Sequence, residues 1–506
     1  MTGSRPSPDR RGALLIVGAT SGAGKSTVTA GLCRAWRWRG LDVAPFKAQN
    51  MSNHAAVTTD GGEIGRAQAE QAAAAGVPLD RRMNPILLKP GSDRRSHVVV
   101  MGEERVVTDA HDYGRVAASL RPVALQALTS LRGDHPWVIA EGAGGAAEIN
   151  LLDRDLVNLP LARAAGVPAV LVVDIDRGGA FAAAYGTIAL VPGDLRATVA
   201  GVVFNRFRGD PSLLEPGIAD LEARTGVPVL GVLPHLGATP LLGVEDSLDV
   251  TPATGSGSDA DRPVRVAAIR LPHLANPSDL DPFRVEPHVA LRWVTAPSEL
   301  VDADLIVLPG SRSTVEDLRW LERRGLARSL VQLARRDTTR IVGLCAGYQM
   351  LGTGIHDFVE SGVGMVDALG LLRAVTRFEP TKVVRRSTGH AGTEPVHGYQ
   401  IRFGCPVSED PWLEVDGEPE GSVDPTGRVS GSSLHGLFDA DGFRTALLTE
   451  VAERRGRIYA PAPVRYVDLL DDQHDRLADW LDTHLDLDEW VELAGTAAAP
   501  GTGPGW

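Results

Sequence analysis

"VGATSGAGKST", residues 17–27, follows the apolar run "ALLIVG" (13–18) and opens a stretch of helical character. A strand, a glycine-rich turn and then a Lys-Ser pair is the pattern G-x-x-x-x-G-K-[ST], in which backbone N–H groups and a helix start surround a phosphate. Ala19 stands where the first glycine falls, with Gly18 one place earlier, so the loop is a variant form. The expected ATP contacts are Thr20, Gly22, Gly24, Lys25, Ser26 and Thr27, with Lys25 reaching the β/γ phosphates and Ser26 ligating Mg²⁺. The plainer alternative is a glycine-rich turn with no ligand. Against it stands composition: of 51 basic residues only four are lysines (Lys25, Lys47, Lys89, Lys382), so a lysine marks a place where a compact ammonium is wanted.

Working outward, short runs rich in Val, Ile and Leu recur at 41–46, 136–142, 168–174, 197–205 and 227–234, with helical stretches between them. Such runs read as buried parallel strands of a doubly wound sheet. Residues 251–263, "TPATGSGSDADRP", are small, polar and aperiodic, as a linker is. The strand rhythm restarts at 264–271, 304–310, 340–345, 397–403 and 428–436. The expectation is therefore an α/β protein of two domains, each a mostly parallel sheet flanked by helices. The divisions are a disordered 1–11, a nucleotide domain 12–250, the linker 251–263, a second domain 264–493 onto which a C-terminal helix packs, and a disordered 494–506.

Within the second domain, "RIVGLCAGYQML" (340–351) reads as strand, sharp turn and helix with Cys345 at the turn. The elbow forces the thiol into a cleft, and the electropositive start of the following helix suits a thiolate. The backbone N–H of Ala346 is one natural oxyanion donor, and Gly310 or Ser311 in "LPGSRST" (308–314) supplies a second. His435, in "SSLHGLFD", is the candidate general base. The alternative for Cys345 is a small buried hydrophobe. His54, His97, His235, His273 and His390 are read as surface or loop residues without a role.

The polar run 45–76 follows a strand and brings Lys47, Gln49 and Asn50 to the edge where open parallel sheets bind ligands, followed by Asp60 and Glu63 beside Gly-Gly. Asp60 and Glu141, the latter closing another strand, are candidate carboxylates for Mg²⁺ beside Ser26. The alternative for either is a helix cap or a solvated loop charge. Asn205 ends a strand and could meet an adenine edge or merely form a turn. Asp176 and Arg177, in "DIDRGG" (174–179), are candidates for substrate contact or a charged turn.

A net charge of −13 argues against a nucleic-acid partner. No apolar run reaches eighteen residues and the N-terminus lacks a signal core, so a cytoplasmic location is expected. Three cysteines allow no disulfide framework. Aromatic content of 5% beside 43% hydrophobic fits an α/β chain.

Taken together, Gly343 to Gly347 and His435 resemble a class I glutamine amidotransferase domain, placed behind an ATP-binding domain of the dethiobiotin-synthetase type. Longer blocks narrow this. "PFKAQNMSNHAAVTTDGGEIGRAQAEQA", "MNPILLKP", "EGAGGAAEINL", "VVDIDRGGAF", "NRFRGD" and "IRLPHLANPSDLDPF" resemble the cobyric acid synthase family over about residues 12–450. The resemblance implies ATP- and glutamine-dependent amidation of the b, d, e and g carboxylates of adenosylcobyrinic acid a,c-diamide. Its implied small-molecule partners are glutamine, ATP and the corrinoid, with no tightly bound organic cofactor. In many class I amidotransferases a Glu follows the His by two places; here Leu437 does, which leaves the third triad member unassigned. The family more often has Ser where Gly145 stands. The nearest alternative is the sister enzyme, cobyrinic acid a,c-diamide synthase. An ATP-gated regulator with a vestigial amidase domain and a plain dethiobiotin-type ligase are the others.

Overall fold

The computed structural model describes residues 10–90, 95–109, 113–237, 263–336 and 338–506. The N-terminal residues 1–9 and all but the last residue of the expected linker fall outside them.

Six parallel strands form the first large sheet, in the spatial order Val229–Pro234, Val199–Phe207, Ala169–Asp174, Gly12–Gly18, Trp137–Glu141, Val43–Phe46. Gly12–Gly18 is buried along its whole length because it lies inside the sheet with helices on both faces. The chain reverses its spatial direction there, so the loop after Gly18 opens at the switch point where such sheets take ligands. The second large sheet runs Val289–Val294, Val264–Ile269, Leu305–Leu308, Arg340–Leu344, Val429–Ser432, all parallel, with antiparallel Ser422–Val423 at the edge. Two α/β units, each built on a mostly parallel sheet, are thus present. Val289–Val294 escaped the sequence reading because its edge position leaves Ala290, Arg292 and Trp293 only half-buried, and Arg292 breaks up the apolar run.

One strand reading is corrected. Residues 397–403 lie not in the second parallel sheet but in Glu394–Ser408, which pairs antiparallel with Ala374–Ala391. This long hairpin reaches across to the first unit, where Tyr399 and Ile401 pack with Ala55, Val57, Leu87 and Val99. Facing it are the short hairpin of Ala55–Val57 with Glu63–Gly65 and the sheet containing Gln49–Met51 and Ile86–Pro90. The Ala55 N–H also donates to Asn276 Oδ1 across the units at 2.8 Å.

The C-terminal helix is a second correction. Helix Tyr466–His484 packs on Lys25–Trp38, the helix that follows the glycine-rich loop: Leu481 meets Gly31, and Arg34 pairs with Asp475 at 2.5 Å and Asp471 at 3.2 Å. Trp490 and Val491 of the next helix, Leu487–Ala494, share a core with Leu14, Ile16 and Trp36. An amphipathic pattern reports that a face will be buried, not against which unit. Residues 494–506 also dock on the first unit: the Ala498 N–H donates to Gly166 O at 2.7 Å and the Trp506 indole to Arg121 O at 3.1 Å.

Candidate active site

The loop between Gly18 and Lys25 turns through Gly22 (φ 69°) and Gly24 (φ 97°), left-handed angles that a glycine adopts without a Cβ penalty. At Gly24 a Cβ would also fall 2.2 Å from Asn205 Nδ2. The Asn205 amide is turned to the loop, donating to Ala23 O at 2.9 Å, while its Oδ1 accepts from Arg206 N. Its amide therefore braces the loop from behind. Lys25 is buried and donates to Gly144 O at 3.2 Å.

Glu141, at the end of the neighbouring strand, is fully buried. One oxygen accepts from the Ser26 hydroxyl at 2.8 Å and from Lys47 Nζ at 3.0 Å; the other accepts from Gln71. Burial opposes its ionisation, but the charge and hydrogen bond of Lys47, the Ser26 hydroxyl and the charge of Lys25 outweigh it, and the carboxyl is held below its ordinary range. Ser26, Glu141 and Lys47 are thus gathered at one point.

Asp60 does not join them. It sits exposed in the 58–62 turn, bound by Thr58 and by Arg81 Nε at 2.8 Å. A carboxylate in a polar run gave no sign that an arginine twenty-one residues on would claim it. Asp176 pairs with Arg208 at 2.8 Å and Arg177 is largely exposed; both lie on the rim, in the loop after Ala169–Asp174. Asn50 is buried on Gln49–Met51 beside the helix Arg66–Ala75.

In the second unit Cys345 has φ 50° and ψ −110°, a backbone state unusual for a residue with a Cβ, and strain of this kind gathers at reactive turns. Gly347 permits the elbow, since a Cβ there would lie 1.9 Å from Leu308 O. His435 is buried and lines the same pocket as Cys345, whose thiol lies 3.8 Å from Ile401 O. Its Nδ1 lies 2.7 Å from Asp279 Oδ2, and the Gly436 N–H donates to Asp279 Oδ1 at 2.8 Å. Desolvation would keep the imidazole neutral, but the charges of Asp279 and Cys345 prevail and push its pKa up to about 10. Tyr399, from the long hairpin, stacks on the ring at 5.4 Å.

Asp279 completes the constellation and was missed from sequence. It lies within "LANPSDLDPF", 156 residues before the histidine, with no local pattern to flag it. Ser311 and Ala346 line the pocket around Cys345. The Ser311 hydroxyl is spent on Asp317 at 2.6 Å, so its backbone N–H is the part left for an oxyanion. Gly310 packs on the imidazole, where a Cβ would come 2.9 Å from Cε1. Cys33 is buried in the Lys25–Trp38 helix, and burial together with Glu141 drives its thiol far up, out of nucleophilic use.

The pocket is not closed by the second unit alone: Asn53 and Lys89 from the first unit line it. Lys89 (2.5 Å) and Lys382 (2.6 Å) share the buried carboxylate of Glu63 across the boundary. All four lysines of the chain therefore stand at the phosphate loop or at this junction.

A phosphate loop with a buried glutamate and a cysteine elbow with its histidine define an ATP-dependent glutamine amidotransferase, a ligase that draws its nitrogen from glutamine. Family models agree with both halves: residues 14–241 match the CobQ/CobB/MinD/ParA nucleotide binding domain and 265–443 the CobB/CobQ-like glutamine amidotransferase domain. Over 503 residues the chain is 49% identical to a cobyric acid synthase of Rhodococcus jostii (strain RHA1), covering 97% of each chain. It is 48% identical to those of Frankia casuarinae (94% and 95% covered) and Nocardia farcinica (97% and 98%). The chain belongs to the cobyric acid synthase family. Among the described residues no helix is long and apolar enough to cross a membrane.

Proposed function

We propose that the chain amidates the b, d, e and g carboxylates of adenosylcobyrinic acid a,c-diamide, one ATP and one glutamine per amide, in cobalamin biosynthesis. A carboxylate is inert to ammonia because its carbon is a poor electrophile and its leaving group would be oxide. Attack of the substrate carboxylate on the γ-phosphorus of ATP releases ADP and gives an acyl phosphate; ammonia then adds at the carbonyl and phosphate departs. Lys25 and the loop N–H groups hold the phosphates, and Lys47 neutralises charge beside Glu141.

The hydroxyl of Ser26 beside the carboxylate of Glu141 is a hard-oxygen pair that suits Mg²⁺, with nucleotide phosphates and water completing its shell. When bound there it would offset phosphate charge. Asp60 has no part in this set.

In the other unit the Cys345 thiolate attacks the glutamine carboxamide carbon, and the oxyanion rests on the N–H groups of Ala346 and Ser311. Imidazolium His435 protonates the departing nitrogen, ammonia leaves and a thioester remains. Water, deprotonated by His435, then releases glutamate. Asp279 holds the ring so that Nε2 faces the thiol.

The observation that carries this reading is the thiol pocket walled by residues of both units, which puts the source of ammonia against the unit that activates the acid. Its test is to supply the purified chain with ATP, glutamine and either the a,c-diamide or the unamidated acid, and to count added amides by mass. Four additions to the a,c-diamide are expected; turnover of the unamidated acid alone contradicts the assignment.

A further inference from the structure

Two residues that line the thiol pocket keep buried polar side-chain atoms with no hydrogen-bond partner among the described residues: Asn53 at Oδ1, and Arg312 at both Nε and Nη2. No other residue lining the pocket carries such an atom, and Asn53 and Arg312 are each only 8% exposed. Buried donors and acceptors left unpaired cost free energy that an apolar residue would avoid, so their presence beside a nucleophile points to a ligand that pairs them.

The two residues come from different units. Asn53 lies between Gln49–Met51 and Ala55–Val57 of the first unit. Two places further on, the Ala55 N–H donates to Asn276 Oδ1 at 2.8 Å, which ties this segment to the second unit, and Asn276 lines the same pocket. Arg312 follows Ser311, whose N–H faces the oxyanion. Its own N–H donates to His273 O at 2.8 Å, and Nη1 donates to Glu360 Oε2 at 2.7 Å, so the guanidinium is held by one nitrogen while Nε and Nη2 stay open.

The other long charged side chains of the pocket are already committed. Lys89 and Lys382 share Glu63, and Arg402 donates to Gln400 Oε1 and Gly404 O. Glu360 accepts from Arg312 and, at 3.4 Å, from Thr314 N. What remains is one acceptor and a pair of donors, the complement of an α-ammonium and an α-carboxylate. Glutamine presents both at the end opposite its carboxamide.

We infer that Arg312 Nε and Nη2 hold the α-carboxylate of glutamine, and that Asn53 Oδ1, supplied by the first unit, accepts from its α-ammonium. The inference rests on the reading of Cys345 as the thiol that attacks glutamine and adds how the far end of that substrate is recognised. Nε and Nη2 share one edge of the guanidinium, where two parallel N–H groups match the two oxygens of a carboxylate. Glutamine is then fully held only where the two units meet.

The test uses the full chain with ATP and the a,c-diamide present. The acid released is counted by mass from three amides: glutamine, glutaramate, which lacks the α-ammonium, and 4-aminobutanamide, which lacks the α-carboxylate. Preference is the ratio of kcat/KM values, or of Ki to KM for an analogue that binds without reacting. Asn53→Leu removes the acceptor at similar volume, Asn53→Asp keeps one, and Arg312→Lys keeps a charge for Glu360 but not the fork. In Asn53→Leu the preference for glutamine over glutaramate is expected to fall about tenfold while that over 4-aminobutanamide holds; in Arg312→Lys the reverse is expected. Asn53→Asp should retain the preference that Asn53→Leu loses. A preference unmoved in either Asn53→Leu or Arg312→Lys overturns the proposal. So does an equal fall of both preferences in either variant, which would give that residue a purely structural role. No acid released from glutamine by the unaltered chain would instead remove the reading of Cys345, and this recognition with it.

Discussion

Asp279 and His435 stand 156 residues apart in the chain, yet their carboxylate and imidazole meet at 2.7 Å in a buried contact. The aspartate arrives on the loop after Val264–Ile269 and the histidine on the loop after Val429–Ser432, two strands of one parallel sheet. A second hydrogen bond, from Gly436 N to Asp279, fixes the carboxylate, so the ring is oriented from both sides.

Asp279→Asn should cut glutamine hydrolysis roughly a hundredfold, because the ring loses both its orientation and the anion that supports imidazolium. The sign on pH follows from the same contact. With the anion gone His435 titrates below about 10, so the alkaline limb of the glutaminase profile should move to lower pH. A profile unmoved in Asp279→Asn would mean that the carboxylate does not act on His435.

Cys345→Ala should abolish glutamine-dependent amidation and leave ammonium-dependent amidation intact, since only nitrogen release needs the thiol. Steady-state amide formation with each nitrogen source checks this; persistence of both would move Cys345 out of the nucleophile's role.

Lys25→Ala should stop amidation from both sources, because activation of the acid precedes either. Glu141→Gln should lower both as well by leaving Lys47 buried without its counter-charge. Release of ADP in the presence of corrinoid is the readout, and persistence of full rates in either variant contradicts the phosphate-site assignment.

Glu63→Gln removes the carboxylate shared by Lys89 and Lys382 and should destabilise the chain by about 3 kcal/mol, as breaking a buried ion pair from one side does. Burial opposes Glu63's ionisation, yet the two lysines depress its pKa far below the ordinary glutamate value. A depressed carboxyl contributes stability above its unfolded pKa and loses it only as pH falls toward the folded one. Thermal melts at neutral pH should therefore separate variant from unaltered chain, with the gap narrowing in strong acid.

Features set by neighbouring residues were legible in the sequence. The phosphate loop is one continuous stretch in which strand, glycines and Lys-Ser each have a local cause, and the Gly-x-Cys-x-Gly elbow is the same kind of object. Asp279 was not legible, because an aspartate in a Pro-Ser-Asp turn looks like any loop residue until the fold carries it to the histidine. Asp60 erred the other way: a carboxylate in a promising run is claimed by Arg81. The Leu and Trp spacing over 472–493 reads as a single helix with a buried face; the structure divides it between Tyr466–His484 and Leu487–Ala494, and the partner is the helix of the phosphate loop, a choice that this spacing does not encode. Lys89 and Lys382 were marked by their rarity, yet only the long hairpin brings them to one glutamate.

The central claim is that one half of the chain frees nitrogen which the other half fixes. It is tested most directly by supplying glutamine labelled with ¹⁵N in the side-chain amide, with ATP and the a,c-diamide, in a bath of unlabelled ammonium. The account predicts corrinoid amides carrying the label with little dilution by the bath. Product amides without label, formed while ATP is consumed, would contradict it.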